Sequence, residues 1–346
     1  MNNIFKILLL ASFIFSSGCI KKIYELKQST VQDNKYDSEF PNKPFSKDLE
    51  EILTSVKLIN SISTYESFDF DTNSFVTKDI LSDSTIEAHM IEKRYLNKPA
   101  TGTATIVYYS DYRIGLITCA HIVDSPDTVI NYFTDKRGIK LKYIRNLSLK
   151  VRQTINVLKL PEITNFKIIA IDIKGDIAFI GRKFSIKPVF PIPILKTAIG
   201  SAEELSWGNI VYLFGYPRGT KLISNCLVSN PNRDHYHSFI INGVATRGIS
   251  GGPIFAIRDG VPNFELVGMA RAVAAENKYY LSPGEDYNTA KYDIARPFTE
   301  DIFVELHEMV HYGILYTVSI ESILDFLERN ESNLREDGYY LDQLLK

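Results

Sequence analysis

The chain has 346 residues, 45% of them hydrophobic, and a formal net charge of −2. That is ordinary globular composition, long enough for one large or two small cores, and so near-neutral a balance argues against nucleic acid as a partner. Tyr and Phe, at 20 each, with abundant Ile and Val, favour strands over helices.

The N-terminus reads as a targeting segment. Lys6 precedes an apolar run over residues 7–15, and Ser16-Ser17-Gly18-Cys19 ends in a cysteine after small residues. This resembles a bacterial lipoprotein signal peptide, spanning 1–18. The resemblance implies cleavage before Cys19, acylation of its thiol, export to the cell envelope and a membrane partner held through the lipid, on the periplasmic or surface side. The run is too short for a comfortable transmembrane helix. Only Cys119 and Cys226 follow, which is no disulfide framework, and Cys119 in its apolar run reads as a buried free thiol.

Residues 19–95 are expected to form a tether and N-terminal extension. The stretch 20–45 is polar, and 48–59 carries Leu49, Ile52, Leu53 and Val56 at helical spacing behind Ser46. Residues 62–95 show no clear period. From Thr101 onward, short β-branched runs alternate with turn residues, predicting strands over 103–109, 113–118, 128–133, 141–149, 151–160, 166–171 and 177–180. Further strands are expected over 189–195, 210–214, 222–227, 239–244, 254–257 and 264–272. With no crossover helices between them, the count fits an all-β core of two six-stranded antiparallel barrels, over 96–185 and 186–318. Helix is predicted over 299–311. A second helix, capped by Ser319, opens a C-terminal helix and tail at 319–346.

Three segments carry chemistry. Gly248-Ile249-Ser250-Gly251-Gly252-Pro253 makes a tight turn that exposes a hydroxyl beside unshielded N–H donors, as acyl transfer requires. His121 stands where an apolar strand ends, after Ile117-Thr118-Cys119-Ala120. Asp176 leads into the apolar run Ile177-Ala178-Phe179, with Asp172 as a rival carboxylate. Alone, the bland readings are a glycine-rich loop, a satisfied core histidine and a turn aspartate.

Together, and in this order, the segments resemble the trypsin/chymotrypsin-like serine proteases, especially the bacterial HtrA and glutamyl endopeptidase branches. Gly215-Tyr216-Pro217-Arg218-Gly219, Val267-Gly268-Met269-Ala270 and Tyr312-Gly313-Ile314 extend the likeness over about residues 100–328. The resemblance implies a chymotrypsin-like fold and a polypeptide substrate. His121 would be the general base, Asp176 its orienter and Ser250 the nucleophile, with the N–H groups of Gly248 and Ser250 as oxyanion hole. It implies no cofactor and no metal. The pocket floor is expected at Val244 and a wall at Met269, Ala270 and Arg271. With no acid at the floor, a small or apolar residue is preferred before the scissile bond. Ile249, where a polar residue is usual, is expected to alter a wall of the cleft. Residues 273–311 form an insertion.

Two other motifs compete. Gly248-x-Ser250-x-Gly252 also fits the nucleophile elbow of an α/β-hydrolase esterase, with Asp301 and His311 available, but that elbow must run into a helix. His307-Glu308-Met309-Val310-His311 fits the zinc protease pattern, with Glu321 or Glu328 as third ligand, if it lies on a helix. A catalytically inactive protease-fold binding protein is the non-enzyme alternative.

Overall fold

The computed structural model describes residues 32–135, 139–160, 165–243, 246–283, 295–299 and 302–342. The signal segment with Cys19, the expected pocket floor Val244, and Asp301 lie outside the described residues.

Helix α1 (Ser46–Ser55) stops earlier than expected, and strand β1 (Val56–Phe70) begins at once. The Ser55 hydroxyl donates to the Ile52 carbonyl at 2.7 Å, and Val56 is already extended. From Ser61 the buried side alternates through Ser63, Tyr65 and Ser67. Buried serines, not hydrophobic residues, mark the inner face, which hid this strand from a hydrophobic pattern. Asn146 accounts for one of them, donating to the Ser67 hydroxyl at 2.7 Å.

A short helix α2 (Asp83–His89) leads into β2 (Met90–Ser110), then β3 (Arg113–Thr118), a one-turn helix α3 (Ala120–Val123), β4 (Thr128–Thr134), β5 (Lys140–Val157), β6 (Lys167–Asp172) and β7 (Ile177–Lys183). The two strands expected over 141–160 are one. All pair antiparallel in the order β4-β5-β1-β2-β3-β7-β6. The first sheet therefore starts at Val56, not at 96, and takes in residues expected to be an extension. Nor is the whole stretch to residue 45 a free tether. Tyr36 is buried and bridges to Arg258, while the Asp37 N–H donates to the Ile257 carbonyl at 2.9 Å.

The stretch 189–195 is not a strand. Pro188, Pro191 and Pro193 lack the N–H that a ladder needs. The second sheet comprises β8 (Ala198–Ile199), β9 (Ile210–Gly215), β10 (Leu222–Asn230), β11 (Ile240–Ile241), β12 (Pro253–Ile257), β13 (Phe264–Pro283) and β14 (Ile302–Ser319). Its order is β12-β9-β10-β11-β14-β13-β8, and an additional β12–β13 pairing closes six of the strands into a ring.

Leaving out β4 and β8 and counting strands by appearance, both sheets follow one order: fourth, first, second, third, sixth, fifth. The molecule is thus all-β and chymotrypsin-like, with one closed six-stranded antiparallel barrel and one curled, open sheet. The expected closure of the first barrel is not made by a described strand pairing. Among the described residues two bonds span that gap: the Phe166 N–H donates to the Ile155 carbonyl at 2.8 Å, and the Ile155 N–H donates to the Asn165 side-chain oxygen at 2.6 Å.

The helix expected over 299–311 is instead strand β14, paired with β13 out to Pro283↔Ile302. The paired residues of the insertion form a two-stranded ribbon. Ile302, Val304 and Leu306 alternate with Phe303 and Glu305, a period that a partner strand can use, and tertiary pairing overrides local helix preference. After β14 come α4 (Ile320–Arg329), capped by the Ser319 hydroxyl as expected, and α5 (Glu331–Glu336). Tyr339 then packs edge-on against Phe179, with ring centroids 5.2 Å apart, so the C-terminal segment returns to the first sheet.

Candidate active site

Strand β3 ends at Thr118, and Cys119 leads α3, whose single turn lifts His121 to the rim with half of its side chain exposed. Asp176 sits just before β7 in the left-handed region, φ 59°, and is buried. Since β3 and β7 are paired, with Thr118 opposite Ala178, the sheet itself brings the two residues together. One Asp176 oxygen lies 2.8 Å from His121 Nδ1. The other lies 3.0 Å from it and accepts the His121 backbone N–H at 2.9 Å. The carboxylate thus grips both ring and main chain of the histidine, which orients the imidazole and leaves Nε2 for other work.

The rival Asp172 is engaged elsewhere. It accepts the Gly175 N–H at 2.9 Å and pairs with Arg329 at 3.2 Å. Burial alone pushes its carboxyl up, but those donors outweigh it and hold the group below the usual range.

The serine turn is built from peptide planes. In a trans peptide the C=O and N–H point in opposite directions. The Arg247 carbonyl accepts the Arg218 N–H at 2.8 Å, and the Ile249 carbonyl accepts the Gly252 N–H at 2.9 Å. The N–H groups on the far sides of those two peptides belong to Gly248 and Ser250. Among the described residues neither has a partner, whereas the N–H groups of Ile249, Gly251 and Gly252 all donate. Gly248 at φ +98° and Gly251 at φ +83° hold angles that side chains rarely adopt. A Cβ on Gly251 would also collide with the Thr103 carbonyl.

Two shared neighbours bring this turn beside His121. The Ala270 carbonyl accepts the Gly251 N–H at 2.8 Å and the Cys119 thiol at 3.2 Å. A Cβ on Gly102 would meet both Ile122 and the Ser250 carbonyl. The residue after Ser250 and the residues flanking His121 therefore rest on the same atoms. The ring's bonds run to Asp176, and among the described residues none joins it to the Ser250 hydroxyl. Such a bond commonly tightens only with substrate present.

Cys119 is fully buried. Desolvation, reinforced by the charge on Asp176, pushes its thiol well above the ordinary range, so it stays a neutral donor. Ligand atoms of Cys119, His121 and Asp176 lie within 4.8 Å of one another. Each already has a protein partner: the thiol has the Ala270 carbonyl, and the ring and carboxylate have each other.

Arg271, expected as a pocket wall, also faces Asp176. Its Nε lies 3.5 Å from Asp176, and it donates to the Lys174 carbonyl at 3.2 Å. It also lines a cavity of about 510 Å³ with Lys174, Asp234, Tyr236 and Thr317. Met269 and Ala270 are buried. Of the three side chains expected to form a pocket wall, only Arg271 reaches a cavity, and that cavity lies beside Asp176. Ile249 does not line a cleft either. It is buried against Gly215, and the turn is anchored by an apolar plug. Thr103, a residue with no signal in the sequence, bonds both to this turn and to the neighbouring loop.

The competing motifs meet structural objections. Pro253 opens strand β12, not a helix, so the esterase elbow is absent. His307, Glu308 and His311 lie on strand β14, not on the helix that a zinc pair at this spacing needs. Glu321 is committed to a loop, accepting from the Ser201 hydroxyl at 2.9 Å and the Ala202 N–H at 2.8 Å.

No family model matches the chain, and no curated protein matches it in sequence. Solved structures that align with it include a serine endoprotease from Yersinia pestis, at 14% identity and a TM-score of 0.37, covering 87% of this chain and 70% of that one. At that distance the ground for the fold is the repeated strand order.

Proposed function

We propose that this protein is a serine endopeptidase that cleaves polypeptides through an acyl-enzyme. The observation that carries the reading is the pair of N–H groups at Gly248 and Ser250 that have no partner among the described residues, on a turn that shares neighbours with an imidazole oriented by a buried carboxylate. The Ser250 hydroxyl attacks the scissile carbonyl and passes its proton to His121 Nε2. The carbonyl oxygen, now an oxyanion, takes the two N–H donors. Asp176 stabilises the imidazolium. The C–N bond then breaks, the amine leaves with the proton from His121, and water hydrolyses the ester by the same steps in reverse.

No acid stands at the expected floor, Val244, so cleavage after a small or apolar residue is proposed; a peptide library cut mainly after Arg or Lys would overturn it. Lipidation at Cys19 after export is part of the same reading, and palmitate incorporation that is lost in Cys19→Ser tests it. The activity itself is tested with a fluorophosphonate probe. Labelling of the purified protein that disappears in Ser250→Ala supports the reading. An unlabelled wild-type protein means a binding protein on a protease scaffold, and a chelator-sensitive but probe-resistant peptidase activity means a metal enzyme.

A further inference from the structure

Every carbonyl from Arg247 to Ser250 is held, and two of the four are held by one residue on the other sheet. Thr103, on β2, donates its hydroxyl to the Gly248 carbonyl at 2.8 Å and its N–H to the Ser250 carbonyl at 2.8 Å. The same hydroxyl accepts the Tyr216 N–H at 3.0 Å. Its own carbonyl accepts the hydroxyl of Thr118, the last residue of β3 and three residues before His121, at 2.7 Å. Thr103 is completely buried. The hydroxyl thus sits at a three-way junction of the first sheet, the serine turn and the 216–219 loop.

That loop holds the remaining critical plane. The Arg218 N–H fixes the Arg247 carbonyl, and so the outward direction of the Gly248 N–H. A rotation of the 247–248 peptide would remove one oxyanion donor, and the Thr103 hydroxyl ties down both the peptide that follows it and the loop that fastens it.

We propose that Thr103 is a positioning residue for the oxyanion hole: its hydroxyl keeps the Gly248 N–H aimed at the substrate without touching substrate. The inference rests on the endopeptidase reading and deepens it. A backbone N–H to the Ser250 carbonyl is available from any residue except proline at this position; the link to Gly248 and Tyr216 needs the hydroxyl.

The test compares Thr103→Val, Thr103→Ser and Thr118→Val. Thr103→Val keeps the shape and removes the hydroxyl, Thr103→Ser keeps it, and Thr118→Val removes a buried hydroxyl that bonds to the Thr103 carbonyl and lies against Gly251 without a hydrogen bond to the turn. Fluorophosphonate labelling rate, kcat and KM on a peptide, and melting temperature are measured for each. Loss of one oxyanion donor costs on the order of 10²–10³ in rate, so partial misalignment in Thr103→Val is expected to slow labelling and kcat by about tenfold or more with KM nearly unchanged. Thr103→Ser is expected within about threefold of wild type. Thr118→Val is expected to melt earlier yet label within about threefold. Equal rates for Thr103→Val and wild type overturn the inference, as does a loss in Thr118→Val as large as that in Thr103→Val. If Thr103→Val does not fold, Thr103→Ala is read by the same criteria. A wild-type protein that fails to label refutes the endopeptidase reading itself, a result the variants cannot mimic.

Discussion

The two sheets share one strand order but use it differently. The first places its functional groups locally: β3 and β7 are neighbours, and their pairing alone sets His121 against Asp176. The second closes into a ring, yet its functional turn is not held by that ring alone. Gly248 and Ser250 are fastened from outside it, by Thr103 of the first sheet. The His121–Asp176 pair is therefore a property of one sheet, and the Gly248–Ser250 turn is a property of the joint between two. Damage to the joint should spare the first and disable the second.

The largest effect belongs to Ser250, the proposed nucleophile. Ser250→Ala should lower kcat on a peptide substrate by about 10⁶, as for a triad acting as a unit, with circular dichroism unchanged; a variant retaining a tenth of the activity would remove Ser250 from the mechanism. Asp176→Asn should lower kcat by about 10⁴, because an amide can favour the wrong ring tautomer. Its melting temperature is the control, since Asp176 also accepts the His121 main-chain N–H.

Gly251→Ala breaks the joint itself. Its φ of +83° and the collision with the Thr103 carbonyl both oppose a side chain. A destabilisation of about 2–4 kcal/mol in urea unfolding is expected, from strain and overpacking together. Loss of less than about 0.5 kcal/mol would show that the sheets do not depend on this contact.

The smallest effect concerns the thiols. Burial pushes Cys226 up to about 12 and Cys119 upward in the same direction. An unfolded cysteine ionises near pH 8.5. Below that pH both states hold the proton, and the stabilising preference is fully present. As pH rises toward 12 the unfolded state loses its proton first, so stability should fall, by up to about 1.4 kcal/mol per pH unit for each thiol. Urea melts between pH 8 and 10 check this, and Cys226→Ala should flatten the slope. At neutral pH neither thiol should react with iodoacetamide until the protein unfolds.

Residue chemistry drew attention to His121, Asp176 and the Gly248–Ser250 turn, because glycine around a serine, and polar residues at the ends of apolar strands, are legible wherever they lie in space; their order, resembling a protease family, suggested their roles. The sequence also predicted an all-β core through its short β-branched runs. Strand β1 was hidden because serines cover its buried face, and ribbon strand β14 was mistaken for a helix because only its pairing with β13 decides its form. Thr103 carried no local signal, and Arg271, expected as a pocket wall, gave no sign of its contact with Asp176. Their importance comes from contacts across 145 residues to Gly248 and from the far side of the chain to Asp176. Hydrogen bonds between segments so distant depend on where folding puts each backbone plane, and that is settled by tertiary packing, not by the residues on either side.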